Sequence, residues 1–201
     1  MHTCLQKIFI DELKDILSAE EQIVKNLPAM IKAAEFPALK IALKSHWQET
    51  KAQVQRVKEI FKIMGVKPTK KFCKGTHGIV EEIKEVIKEF SESPVRDAGM
   101  TAVAIRLEQY EICAYNGLCT FAKLLKLPRV LKLLKENAKE EIAAFKKLTK
   151  ILEKDLTKII TSEIRVEAPR KKIAKKLAGR KSHLAFKSRT VSAVKRKRVR
   201  A

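Results

Sequence analysis

Apolar residues recur at intervals of three and four along most of the chain, the period of helices with one buried face. One stripe, Leu13, Ile16, position 20, Ile23, Leu27, Ile31 and Ala34, predicts a helix over Thr3–Glu35, with Pro28 as a candidate kink. A second, Leu39, Ala42, positions 46, 49 and 53, Val57, Ile60 and Met64, predicts a helix over Ala38–Met64. The stretch GVKPTKKFCKGT breaks the pattern, and Val80, Ile83, Ile87 and Phe90 then predict a short helix over His77–Phe90. Ser93-Pro94, a cap followed by proline at the first helical position, opens a third long helix that runs to Lys126. Its stripe is Ala98, Ala102, Ile105, position 108, Ile112, Tyr115, Cys119 and Ala122. Pro128 opens a fourth, reaching Thr161 through Leu131, Leu134, Ala138, position 141, Phe145, Leu148 and Leu152. The first and second long helices are joined by a short link, as are the third and fourth, so each pair is an antiparallel hairpin. The predicted fold is all-α: an antiparallel four-helix bundle with a short extra helix in its middle connection.

The gaps in the stripes carry the chemistry. They are Glu20 on the first helix, His46, Glu49 and Gln53 on the second, Glu108 with Glu111 one turn later on the third, and Glu141 on the fourth. Counted from the hairpin turns, Glu20 and Glu49 lie roughly 22 and 18 Å along their helices, and Glu111 and Glu141 lie at similar levels. Each long helix therefore offers an inward carboxylate near mid-bundle. Unpaired carboxylates in a buried layer cost several kcal/mol each, so protons or cations must neutralise them. Inward glutamates from four helices are the arrangement of di-iron and di-manganese carboxylate proteins, and hard oxygen donors suit those ions. His46 reads equally well as a ligand or as a hydrogen-bonding core histidine. No phosphate-binding loop, nucleophile elbow or catalytic triad pattern occurs, and no catalytic residue is assigned.

Composition adds a second theme. The chain has 44 Lys or Arg against 23 Asp or Glu, a net charge of +21. The last 38 residues hold 15 of those bases and one acid, Glu167, leaving +7 for the first 163 and +14 for the tail. This divides the chain into a bundle, 1–163, and a Lys/Arg-rich tail, 164–201, expected to be disordered when free. The tail's Arg170, Lys171, Lys172, Lys175, Lys176, Arg180, Lys181, Lys195, Arg196, Lys197, Arg198 and Arg200 are candidates for binding nucleic acid through phosphates, without sequence readout. With only 6 Gly and 6 Pro, a turn-rich β-sandwich is excluded. No apolar run is long enough to span a membrane, the N-terminus lacks a secretory pattern, and the four cysteines form no CxxC pair. A cytoplasmic, nucleoid-associated protein without membrane partners is expected.

The stretches DELKDILSAEEQIVKNLPAM, SHWQETKAQVQRV, GIVEEIKEVI, VRDAGMTAVAIRLEQYEICAYNGL and LLKENAKEEIAAFKKLTKI resemble the YciE/YciF-type ferritin-like stress proteins over residues 6 to 155. The resemblance implies a rubrerythrin-related ferritin-like bundle, often dimeric. It places Glu20, Glu49, Glu108, Glu111 and Glu141 at or near ligand positions for two iron or manganese ions. Relatives often carry His at Gln53 and Gln109 and a polar or acidic residue at Phe145, so the site of this chain departs from the pattern at three positions. The basic tail lies outside that pattern. Two functions follow. One is a di-metal stress protein with ferroxidase or peroxide-detoxifying activity and a DNA-binding tail. The other is a non-enzymatic nucleic-acid-binding structural protein whose metal site is degraded.

Overall fold

A computed structural model describes residues 3–69, 71–91 and 93–164. Five helices follow one another: α1 (Cys4–Ala33), α2 (Pro37–Ile63), α3 (Lys74–Glu89), α4 (Pro94–Leu124) and α5 (Pro128–Lys150). α5 passes into a π-helical turn, Ile151–Leu156, that buries both of its end residues. The compact unit containing the bundle ends at Thr157. Of the second unit, which starts at Lys158, residues 158–164 are described and are helical. The tail candidates Arg170 to Arg200 lie outside the described residues. Among the described residues, no helix is long and apolar enough to cross a membrane.

Local chemistry sets the helix ends. Thr3 caps α1 in a reciprocal box with Gln6: the Gln6 N–H donates to Thr3 Oγ1 at 3.2 Å, and the Thr3 N–H donates to Gln6 Oε1 at 2.7 Å. Ser93 Oγ accepts from the Arg96 N–H at 3.2 Å, and Pro94 supplies the preset φ behind it. α2 stops at Gly65, whose φ of 64° lets the Val66 N–H reach back to the Phe61 carbonyl at 3.1 Å. Pro28 does not break α1, which runs unbroken to Ala33 with the proline on its exposed side. A proline at position 28 cannot donate to the carbonyl of Val24, and the indole N–H of Trp47 takes that place at 3.0 Å. The defect in α1 has become a docking point for α2.

In the bundle, α1 packs on α2 and α4, and α5 packs on α4 and α2. The start of α4 lies against the α1–α2 turn, since the N–H groups of Glu35 and Phe36 donate to Asp97 Oδ2. α3 therefore carries the chain back along the bundle, and each neighbouring pair of long helices is antiparallel. Leu13, Ile16, Val57, Ile60, Phe61, Tyr115, Leu118 and Leu134 fill the core on one side of the polar layer. Ile23, Leu27, Leu39, Leu43, Met100, Leu107 and Leu148 fill it on the other. Two stripe positions depart from expectation. Ala102 is exposed, because the buried face of α4 at that level runs through Thr101, Val103 and Ala104. Phe90 is 49% exposed because α3 ends at Glu89, before the next inward position.

Candidate metal centre

The two apolar halves of the core meet at a layer of polar side chains. Glu20 from α1, His46 and Gln53 from α2, Glu108 and Glu111 from α4, and Asn137 and Glu141 from α5 are all buried. The helix period explains this: each interrupts an apolar stripe at about the same height, so folding brings them together.

Four of these side chains, His46, Glu108, Glu111 and Glu141, each offer one ligand atom, and those atoms lie within 4.8 Å of one another. Two donors across an ion with bond lengths of about 2.1 Å sit about 4.2 Å apart, so small side-chain movements would close this group around one cation. His46 Nε2 is 3.2 Å from Glu108 Oε1. Glu20 stands beside the group, its Oε1 accepting a hydrogen bond from the Tyr115 hydroxyl. Asn137 Nδ2 donates to that hydroxyl at 2.8 Å, and Arg56 Nη1 donates to Asn137 Oδ1 at 2.9 Å. Arg56 in turn grips Glu140 through two contacts of 2.7 and 2.8 Å. This chain orients Glu20 from behind, as outer partners orient metal ligands.

The rest of the layer is unsatisfied. Glu20 Oε2, Glu108 Oε2, both oxygens of Glu111 and both of Glu141 are buried without a hydrogen-bond partner, as is His46 Nδ1. Among the described residues, no Lys or Arg forms an ion pair with any of these four glutamates. Burial, and then the neighbouring charge of Glu141, hold Glu108 and Glu111 well above the usual carboxylate range. The same two causes raise Glu20. Burial pushes Glu141 up to about 7. Burial, helped by the charge of Lys147, brings His46 down to about 4. A neutral imidazole with a free lone pair is the form that ligates a metal. Orphaned buried carboxylate oxygens are what a hard cation requires. The residues present fit a metal ion.

The other predicted positions divide. Glu49 is on the rim: its side chain is 38% exposed and accepts from Ser45 Oγ at 2.9 Å, with Oε2 3.9 Å from His46 Nδ1. Three residues along a helix leave it roughly 60° around from His46, which turns it outward. Gln53 is inside the layer, with both amide atoms unpartnered. Gln109 is exposed, so whatever stands there does not face the layer, and Phe145 is only partly buried. Tyr110, on the far side of α4 from Glu108, binds Asp15 and Cys73 instead, each at 3.0 Å. Asn137 and the Tyr115–Glu20 contact were not anticipated. The sequence does carry one sign of the first, because Asn137 lies four residues before Glu141 on one helix face.

A protein-family model described as a domain of unknown function, DUF892, matches residues 4–161. The chain belongs to the DUF892 family. Protein YciF of Escherichia coli (strain K12) is 35% identical to it over 146 residues, which is 72% of this chain and 88% of YciF. The crystal structure of the E. coli stress protein YciF superposes with a TM-score of 0.72 at 35% identity, covering 76% of this chain and 96% of that one. YcfI from Rhodopseudomonas palustris gives a TM-score of 0.71 at 35% identity, covering 73% and 94%. A protein of Xanthomonas campestris, 18% identical with a TM-score of 0.64 over 82% of this chain and 99% of its own, shares the fold. All six candidate ligands lie within the DUF892 match, and the basic tail lies beyond it.

Proposed function

We propose that this chain is a ferritin-like metal-binding protein of the bacterial stress response that works in the cytoplasm. The observation that carries the reading is the set of six buried, partnerless carboxylate oxygens on Glu20, Glu108, Glu111 and Glu141, drawn from three helices around the neutral imidazole of His46. One cation would use His46, Glu108, Glu111 and Glu141. The second oxygens of those carboxylates and Glu20 Oε2 leave donors for a second. The carboxylate-rich donor set favours iron or manganese. When bound, such ions supply one-electron chemistry with dioxygen or peroxide, so ferroxidase or peroxide-consuming activity is the reaction class that fits. The chain's own residues bind the ions, exclude water through the two apolar core halves, and hold Glu20 in place through Tyr115. YciF is described as a stress protein, and that context supports the same role here.

The test is metal content after aerobic purification and after anaerobic reconstitution with Fe(II) or Mn(II). About one to two ions per chain are expected, and fewer than about 0.2 would reject the reading. A Glu111→Leu, Glu141→Leu double variant is expected to lose the metal while keeping the helical fold.

The tail supports a second activity, carried by its charge of +14 over 38 residues. It would bind nucleic acid through phosphates, with affinity falling by a log–log salt slope of about 0.9 per phosphate engaged. Full-length protein should shift duplex DNA at low salt, and a chain ending at Glu163 should not. Equal binding by both would remove the tail from the account. A metal-free protein with tail-dependent DNA binding would favour the structural reading over the redox one. A homodimer, expected from the resemblance, is checked by sedimentation.

A further inference from the structure

The layer is closed on most sides by apolar side chains, but between α2 and α5 a cavity of about 50 Å³ leads in from the surface. Ala42, His46 and Glu49 line it from α2, and Ala143, Ala144 and Lys147 line it from α5. Both sets follow helical spacing, so two strips face each other across the gap. The three alanines keep it open, since any larger side chain there would fill it. Its inner end is formed by the buried His46, flanked by the buried Leu43 and Leu148, and its outer lip by the exposed Ala143 and Lys147 and the half-exposed Glu49. A cavity of this size holds a few water molecules and nothing larger than a small hydrated ion.

The polar groups along it form a relay. Glu49 Oε1 is held at the lip by Ser45 Oγ at 2.9 Å. Its Oε2 lies 3.9 Å from His46 Nδ1, too far for a hydrogen bond. His46 Nδ1 is buried and unpartnered, while Nε2 faces Glu108 at 3.2 Å. One imidazole thus separates the lip from the layer, with an unused nitrogen on the lip side. Glu49 is the acidic side chain lining the gap, and Lys147 across from it brings the local charge back towards zero.

We propose that this gap is the entry port of the centre, that its cargo is a small divalent cation, and that Glu49 is the cation's first protein ligand. The proposal rests on the reading of the layer as a metal site. The hydrated ion exchanges water for the Glu49 carboxylate at the lip. Rotation of that side chain away from Ser45 carries the ion inward, where Glu108 and Glu141 displace the remaining waters. Lys147 prevents the empty lip from trapping cations, so transfer inward is favoured.

The experiment mixes metal-free, full-length protein with Co(II) in a stopped-flow instrument. It follows the visible absorption that appears as the ion leaves all-water coordination, and equilibrium titration gives the final stoichiometry. Ala143→Leu places bulk at an exposed lip position and replaces no proposed ligand of the layer. It should slow uptake at least about tenfold with the same final stoichiometry. Glu49→Gln should slow uptake about threefold to tenfold, more at low salt, and Lys147→Gln should speed it. Lys139→Leu, exposed one turn earlier on α5 and outside the port, should leave the rate unchanged. Wild-type rates in both Ala143→Leu and Glu49→Gln, at full stoichiometry, would overturn the port and leave the metal centre standing. Failure of the wild-type protein itself to take up Co(II) would remove the centre and the port together.

Discussion

α4 carries two buried polar clusters roughly 16 Å apart along its axis, and they behave in opposite ways. At its start, Asp97 Oδ2 accepts the N–H groups of Glu35 at 2.9 Å and Phe36 at 2.6 Å. Arg96 donates to the Ala33 carbonyl, and Thr101 Oγ1 donates to the Asp97 carbonyl at 2.6 Å. The two charges are of opposite sign, and their bonds secure the end of α1 and the beginning of α2. At its middle, Glu108 and Glu111 meet Glu20 and Glu141, all of one kind and mostly without hydrogen bonds. The first cluster makes its main bonds within the protein, through Asp97 Oδ2 and the Arg96 guanidinium, and leaves one atom of each, Asp97 Oδ1 and Arg96 Nε, without a partner. The second leaves its capacity open, which is expensive for stability and useful only to something that arrives from outside.

The contrast can be broken in three ways. The largest effect is expected at the closed cluster. Asp97→Ala strips the turn of its acceptor and leaves the Glu35 and Phe36 N–H groups unpaired, so stability should fall by about 4 kcal/mol. Urea unfolding should show that loss equally with and without metal. A loss under about 1 kcal/mol would mean that the corner is not the clamp the hydrogen bonds suggest.

The next effect is the pH dependence of the metal-free layer. The folded carboxyls are raised above their unfolded values, Glu141 to about 7, so the folded state holds protons that the unfolded chain has released. Their contribution is fully present at low pH and is lost as pH rises through the folded values, for Glu141 from about 4.5 through 7. His46, lowered to about 4, opposes this as pH falls below about 6.5, but it is one group against four. Metal-free protein should be more stable at pH 5 than at pH 7.5, read as a higher Tm, and saturating metal should flatten the profile. A metal-free Tm that fell steadily from pH 7.5 to 5 would contradict the layer's electrostatics.

The smallest effect has an unusual sign. Glu111→Gln keeps the shape of a side chain whose oxygens are both unpartnered and removes its need for a proton. It should raise metal-free stability at pH 7.5 by about 1–2 kcal/mol, lose most of that gain at pH 5, and weaken metal binding. Destabilisation at pH 7.5 would show that Glu111 is held by contacts of its own, as Asp97 is.

Much of the fold could be read from one-dimensional signals. Ser93-Pro94 and Pro128 mark helix starts because capping and a preset φ are local chemistry, and α4 and α5 begin where they were expected. α3 starts at Lys74, three residues earlier than the apolar pattern suggested, because Cys73 takes the cap position and is itself buried. Within the candidate site, Glu20, Glu108, Glu111 and Glu141 stand out as interruptions of apolar stripes, and the structure gathers them with His46. Glu49 interrupts a stripe just as clearly, yet its carboxylate turns to Ser45. A stripe locates a residue only to within a sector of the helix surface. At its edge, the choice between layer and lip is made by the side-chain rotamer and the neighbouring helix.

By itself, the sequence determined the number and order of the helices, the hairpin pairing, and the presence of one or more acids per helix at a common height. These follow from a repeat of 3.6 residues and from turn chemistry, which act over a few residues at a time. Only the tertiary structure decided which groups would satisfy one another. Tyr115 reaches Glu20 across 95 positions of chain, and Asp97 reaches the α1–α2 turn across 61 and 62. It also decided that Glu111 and Glu141 would be left without partners, and that three alanines would leave a gap beside His46. Such pairings depend on how four helices pack side by side, and no local pattern encodes the distance between side chains on different helices.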